Sequence, residues 1–384
     1  MKSWLNRLKL KLFLATQTLP YTLDYTEMVY QIYLNHKKVI HYRDGYPVYS
    51  LSTPALFSKP AAHFFARLQF RVIQNRNTPN LMSFAINDVC NAACRHCSFF
   101  DGVDDKNRKP MTVKQCQDAI RQAQEIGVSI INFVGGEPLM RSDFDQILHS
   151  VNKDLSTTVV FTNGWNLSKR IGSLKKAGLD SVYISLDAST ADKHDDIRGK
   201  KGLFDRAVEG ILKAKSLGMS VGISVCITPE SFKQGEFEKM VELGKSIGVH
   251  EVLVFDAMPT GRMKDRKDLV DNHDWINEMI ERSKSYNQRH DYPGVLLYPY
   301  ATSHRSVGCS CGTSYFYLSP YGDVMSCDFN HAKFGNILDT ELFRLWDSLT
   351  SKQEFNTANW GGCKIKNSSF IGKDCIDTGG NCCG

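Results

Sequence analysis

No stretch of the 384 residues is long and apolar enough to cross a bilayer, and no small-residue cleavage site follows the apolar part of the N-terminus. The expectation from both absences is a cytoplasmic protein, with peripheral contact to the inner membrane face left open. Nothing reads as disordered, no nucleic-acid motif is recognisable, and nucleic acid is not an expected partner. Twelve cysteines without an export signal point to metal or redox chemistry and away from a disulfide scaffold. With 42% hydrophobic residues, the chain has ample material for a core.

Acidic residues are scarce in residues 1–80, which hold eleven Lys or Arg against Asp24, Glu27 and Asp44, so the net charge of +6 comes from this extension. Helices are expected over residues 3–14, about 23–34 and about 60–73, the last with Phe64, Phe65, Leu68 and Val72 on one side and Arg67 and Arg71 on another. Between them, Asp44-Gly45 signals a hairpin within Lys38 to Leu51. Two readings stand together: a basic, aromatic surface for a membrane or substrate, or a subdomain whose apolar faces pack on the main body.

From residue 81, short apolar strands alternate with amphipathic helices, the pattern of βαβ units on a parallel sheet. Strands are expected at about 81–87, 129–134, 157–162, 181–187, 220–227 and 251–256, with helices near 112–126, 142–153, 167–177, 203–217 and 234–247. The fold class is therefore α/β, a partial (β/α)6 barrel with a mainly helical N-terminal extension and a small Cys-rich C-terminal domain. The expected domains are 1–80, 81–300 and 301–384.

Cys90, Cys94 and Cys97 occupy one loop after the first strand, and Gly135-Gly136-Glu137-Pro138 follows the second. From the loop alone, three thiolates on a 4Fe-4S cluster compete with a Cys3His zinc set that includes His96. Taken together, the two motifs resemble the radical S-adenosylmethionine (radical SAM) superfamily. The resemblance implies an enzyme whose Cys90, Cys94 and Cys97 hold a cluster with one open iron. That iron chelates SAM, and reductive cleavage gives a 5′-deoxyadenosyl radical that takes hydrogen from an unactivated C–H bond. Gly135, Gly136, Glu137 and Pro138 are expected at the methionine end. Thr162 and Asn163 end the third strand, Ser185 is expected near the ribose or methionine, Asp187 in the same pocket, and Arg198 against the SAM carboxylate. Asp256 and Arg262 are candidates for substrate contacts, whereas Cys226 and Cys116 read as structural thiols.

Seven further cysteines crowd the last quarter of the chain. Cys309, Cys311, Gly322, Cys327, the Gly335-Asn336-Ile337 stretch and Leu345-Trp346 resemble the SPASM/twitch extension of radical SAM enzymes. The implied content is one auxiliary 4Fe-4S cluster on Cys309, Cys311, Cys327 and Cys363, with Cys375, Cys382 and Cys383 as further candidates. The expected partners are an electron donor of flavodoxin or ferredoxin type and a small-molecule, lipid or peptide substrate. An apolar or lipid metabolite leads, a ribosomally made peptide is the alternative, and a zinc-stabilised binding protein is the rival of another class.

Overall fold

The computed structural model describes residues 8–9, 12, 38–74, 76–271, 273–303, 306, 308–352, 355 and 362–366. The helices expected over 3–14 and 23–34 lie, apart from Leu8, Lys9 and Leu12, outside these residues, as do Cys375, Cys382 and Cys383.

Asp44 and Gly45 both take positive φ, as a two-residue hairpin turn demands, and join β1 (His41–Arg43) to β2 (Tyr46–Val48). The helix α1 (Lys59–Gln74) follows. Phe64 and Phe65 of α1 pack with Tyr49 and Leu56 against Ile130. Val48, Leu51 and Ala55 pack against Val159, Tyr183 and Leu253. The inward-packing alternative therefore describes residues 38–74. Two of the basic residues are used internally. Arg43 donates to Thr157, Ser181 and Ser220. Buried Lys38 donates to the carbonyls of Arg289 (2.9 Å), Tyr292 (3.0 Å) and Pro293 (3.1 Å), which follow a helix C-terminus, and burial lowers its pKa to about 8.

The body alternates strand and helix: β3 (Leu81–Ala85), α2 (Val113–Ile126), β4 (Ile130–Val134), α3 (Phe144–His149), β5 (Thr157–Thr162), α4 (Leu167–Lys176), β6 (Ser181–Ser185), α5 (Ala191–Arg198), α6 (Leu203–Ser216), β7 (Ser220–Ile227), α7 (Pro229–Lys233), α8 (Glu236–Ile247), β8 (Glu251–Asp256), α9 (Asp274–Asn287) and β9 (Gly294–Leu297). Thr112 and Gln115 form a capping box on α2, and Gly127 ends it in the left-handed region. The strands from β3 to β9 pair in parallel in chain order, which brings their C-terminal ends to one face. Both faces of these strands are covered, so they are apolar almost throughout.

Three features depart from the sequence reading. β9 is only four residues long, too short for periodicity to register. The segment Ala191–Arg198, where no helix was expected, is helical. The strands β10 (Tyr315–Leu318), β11 (Asp323–Cys327) and β12 (Asn330–Asn336) continue the same sheet, with β10 parallel to β3 and the next two antiparallel. The ten-stranded sheet thus runs across the boundary expected near residue 300. The helix that follows β12, α10 (Leu342–Thr350), buries Leu342, Leu345, Trp346 and Leu349.

Candidate active site

The Cys90–Cys97 loop leaves the C-terminal end of β3 and is clasped from two sides. Ala93 and Arg95 donate backbone N–H bonds to the carbonyls of Arg198 and Ile197 at the end of α5 (2.9 and 3.0 Å). Arg262, a candidate for a substrate contact, bonds Cys97 O through its backbone and Cys94 O through its guanidinium (3.0 Å each) and so helps shape the loop. Gly261 is required there, because a Cβ would lie 2.2 Å from Cys97 O. Asn163 Nδ2 lies 3.9 Å from Cys90 Sγ, and Arg198 Nη1 lies 3.7 Å from Cys94 Sγ. Burial pushes Cys90 up to about 11 and also raises Cys94, with the neighbouring thiols adding to both shifts.

The Gly-Gly-Glu-Pro turn lies against the start of this loop. A Cβ on Gly135 would sit 2.5 Å from Asn87 O, and one on Gly136 2.2 Å from Val89 O. Gly136 N and Glu137 N donate to those same carbonyls, and Pro138 opens a single 3-10 turn. The Glu137 side chain, 1% exposed, accepts from Leu139 N (3.0 Å), Thr162 Oγ1 (2.6 Å) and Asn163 N (2.7 Å). Burial raises its pKa against these donors. Its carboxylate therefore knits the turn after β4 to the end of β5. Asn163 Nδ2 continues the connection to Asn91 Oδ1 (2.7 Å).

Asp187 and Arg198 meet in a buried ion pair of 2.6 Å, made through Arg198 Nε. Asp187 also accepts from Cys226 N (2.9 Å), and His96 Nε2 lies 3.3 Å from it. Burial pushes the Asp187 carboxyl up, but the charge of Arg198, then His96 and His194, holds it below the usual carboxylate range. His194 Nδ1 accepts from Asp187 N, and burial lowers its pKa to about 4. Ser185 Oγ is 3.4 Å from Ser224 Oγ.

Cys309, Cys311 and Cys327 are buried together beside Tyr315, with Cys363 close enough to act on the same groups. The Cys311 thiol donates to Cys309, which lowers Cys309 to about 6, and burial raises Cys363. Phe329 N and Asn330 N point at Cys327 Sγ (3.4 and 3.3 Å). Among the described residues, no three His, Cys, Asp or Glu side chains close on one point as a single metal ion requires.

A cavity of about 400 Å³ joins the two regions. Gly135, Asp187 and Arg198 line one side, and Tyr298, Tyr315 and Asp328 the other. Tyr298 feels all four C-terminal thiols, and burial raises its pKa. Tyr315 OH hydrogen-bonds Asp328, whose pKa burial raises to about 7. Cys226, read as a structural thiol, lines this cavity. Tyr298, Tyr315 and Asp328 were missed, since only the fold brings residues from beyond position 290 to the barrel mouth. Adjacency of Asp328 to Cys327 was the one available signal.

The family model of the Radical SAM superfamily matches residues 85–244, and that of SPASM, an iron-sulfur cluster-binding domain, matches 309–372. The AdoMet-dependent heme synthase of Methanosarcina barkeri is 27% identical over 301 residues, covering 72% of this chain and 84% of that protein. Mycofactocin maturase MftC of Mycobacterium tuberculosis is 27% identical over 303 residues, covering 74% and 75%. The crystal structure of Streptococcus suis SuiB bound to precursor peptide SuiA shares the fold, with a TM-score of 0.59 at 18% identity over 84% of this chain and 80% of that one.

Proposed function

This chain belongs to the radical SAM enzymes and ends in a SPASM domain, and from that premise we propose that it removes hydrogen from an unactivated C–H bond of a substrate held between two iron-sulfur sites. Its cofactors are a 4Fe-4S cluster, SAM and auxiliary iron-sulfur. The observation that carries the reading is the cavity itself, lined on one side by residues around Cys94 and on the other by residues around Cys311 and Cys327.

In this reading Cys90, Cys94 and Cys97 hold the SAM-binding cluster, and Cys309, Cys311, Cys327 and Cys363 hold one auxiliary cluster. The match to an iron-sulfur cluster-binding domain over residues 309–372 favours a cluster over a lone zinc ion at the second site. When bound, the first cluster and SAM supply a hydrogen-abstracting radical. The chain does the rest. Backbone carbonyls of the Gly135–Pro138 turn take the methionine ammonium, while the Glu137 carboxylate keeps the turn in shape through Thr162 and Asn163. Arg198 holds Asp187 ionised and steadies Cys94, and Ser185 faces the same end. Apolar walls from Phe161, Phe255 and Phe329 exclude water from the reacting carbon. The auxiliary cluster, held by the C-terminal cysteines, would supply an acceptor for a second electron, and the outcome would then be an oxidation or a bond formation.

The apolar walls favour an apolar metabolite. A peptide substrate is the second reading, supported by relatives whose names specify a maturase and a complex with a precursor peptide. A flavodoxin or ferredoxin as electron donor and membrane contact through residues 1–80 belong to the proposal alone.

The test is anaerobic reconstitution with iron and sulfide quantification, then dithionite and SAM with chromatography for 5′-deoxyadenosine. About eight irons per chain are expected for two 4Fe-4S clusters. Cleavage should fall to background in Cys94→Ala, whereas Cys327→Ala should lose about half the iron and keep substrate-independent cleavage. Zinc in place of iron, or intact SAM, would refute the assignment.

A further inference from the structure

Among the described residues, two buried side-chain oxygens on the cavity wall have no hydrogen-bond partner: Asn132 Oδ1 on β4 and Asp256 Oδ1 at the end of β8. Both are acceptors. A buried acceptor left unmet is costly, so both oxygens call for a donor.

Asp256 is the stronger of the two. It is 2% exposed, and its other oxygen is ion-paired with Lys366, itself 3% exposed. Lys366 comes from a single turn that follows Cys363, and its carbonyl is held by Asp271 N (3.0 Å). The C-terminal region thus pins one carboxylate oxygen and leaves the other for an occupant. Around it the wall is aromatic, with Phe161, Phe255, Tyr298 and Phe329.

We propose that Asp256, held in place by Lys366, recognises the substrate by accepting a hydrogen bond from an N–H donor, so that the substrate joins an apolar body to an amine or amide. This rests on the placement of substrate in this cavity argued above. It applies to a metabolite and to a peptide alike, because both can present that group.

The test is binding of four phenyl fragments to the anaerobically reconstituted enzyme, followed by ligand-detected NMR. Benzylamine and benzamide carry N–H donors; toluene and benzoate carry none. The donors are expected to bind at least about tenfold tighter, the ratio one charge-assisted hydrogen bond supplies. The preference should vanish in the double variant Asp256→Leu/Lys366→Met, which removes both charges so that neither is left buried alone. If that variant does not fold, Asp256→Asn carries the same test: the preference for benzylamine over toluene falls at least about threefold. Equal binding of all four fragments overturns the proposal, as does a preference that stays undiminished in either variant. Loss of benzylamine binding at saturating SAM also overturns it, by giving the oxygen to the cofactor. Fragment binding is read without SAM cleavage, so a failure here is distinct from a failure of the radical chemistry.

Discussion

The two cysteine sites are built in opposite ways. Cys90, Cys94 and Cys97 lie within eight residues of one loop, and the rest of the fold only tightens that loop, through α5, the segment after β8 and the Gly135–Pro138 turn. Cys309, Cys311, Cys327 and Cys363 span 55 residues and reach one another only after β10 and β11 have joined the sheet. The first site is specified by its neighbours in sequence, the second by topology. A local defect should therefore damage the first site selectively, whereas the second should respond to whatever loosens the sheet.

The harshest way to strain that contrast is Arg198→Met. It leaves Asp187 buried without its cation and withdraws the guanidinium beside Cys94. A cost of about 3–5 kcal/mol is expected in denaturant unfolding of the metal-free protein, the range for a broken buried pair. A loss under 1 kcal/mol would mean that His96 and His194 suffice for Asp187.

A sharper probe is Gly136→Ala. The new Cβ must displace Val89 O, at about 1–3 kcal/mol for overpacking. Iron should fall by up to half, from the first site alone, with the spectroscopic signature of the second unchanged. Equal losses from both sites would show that the turn supports the whole sheet.

A last probe is a pH dependence carried by two buried histidines of the barrel. Burial lowers His194 and His250 to about 4, and each imidazole accepts a backbone N–H. In the unfolded chain they titrate near 6.5, so stability from the neutral rings is full above that pH and is lost as pH falls from 6.5 toward 4. Urea midpoints of the metal-free protein at pH 7.5, 5.5 and 4.5 should decline in that order, and a midpoint that rises on acidification would contradict the sign.

Strands β3 to β8 were legible because each is a mostly apolar run of five to eight residues between amphipathic helices, and the Cys90–Cys97 loop because its spacing is local. Asp44-Gly45 was legible for the same reason, as two residues carry the whole turn. What escaped was set by partners far along the chain. Nothing beside Glu137 says that its carboxylate will be taken by Leu139, Thr162 and Asn163. Nothing beside Arg198 says that Asp187 will reach it first, and nothing in the run around Cys226 says that its side chain will border a cavity.

Because β10 lies hydrogen-bonded along β3, the strand that delivers the first three cysteines takes one of its two neighbours from the end of the chain. During synthesis that strand waits, with an unfilled edge, until more than 230 further residues have emerged. A chain stopped near residue 300 would carry its first cysteine loop on a bare apolar strand, primed to pair with another molecule. The C-terminal region is thus a closing stave as well as a cysteine carrier, and premature termination would show as aggregation before it showed as lost chemistry.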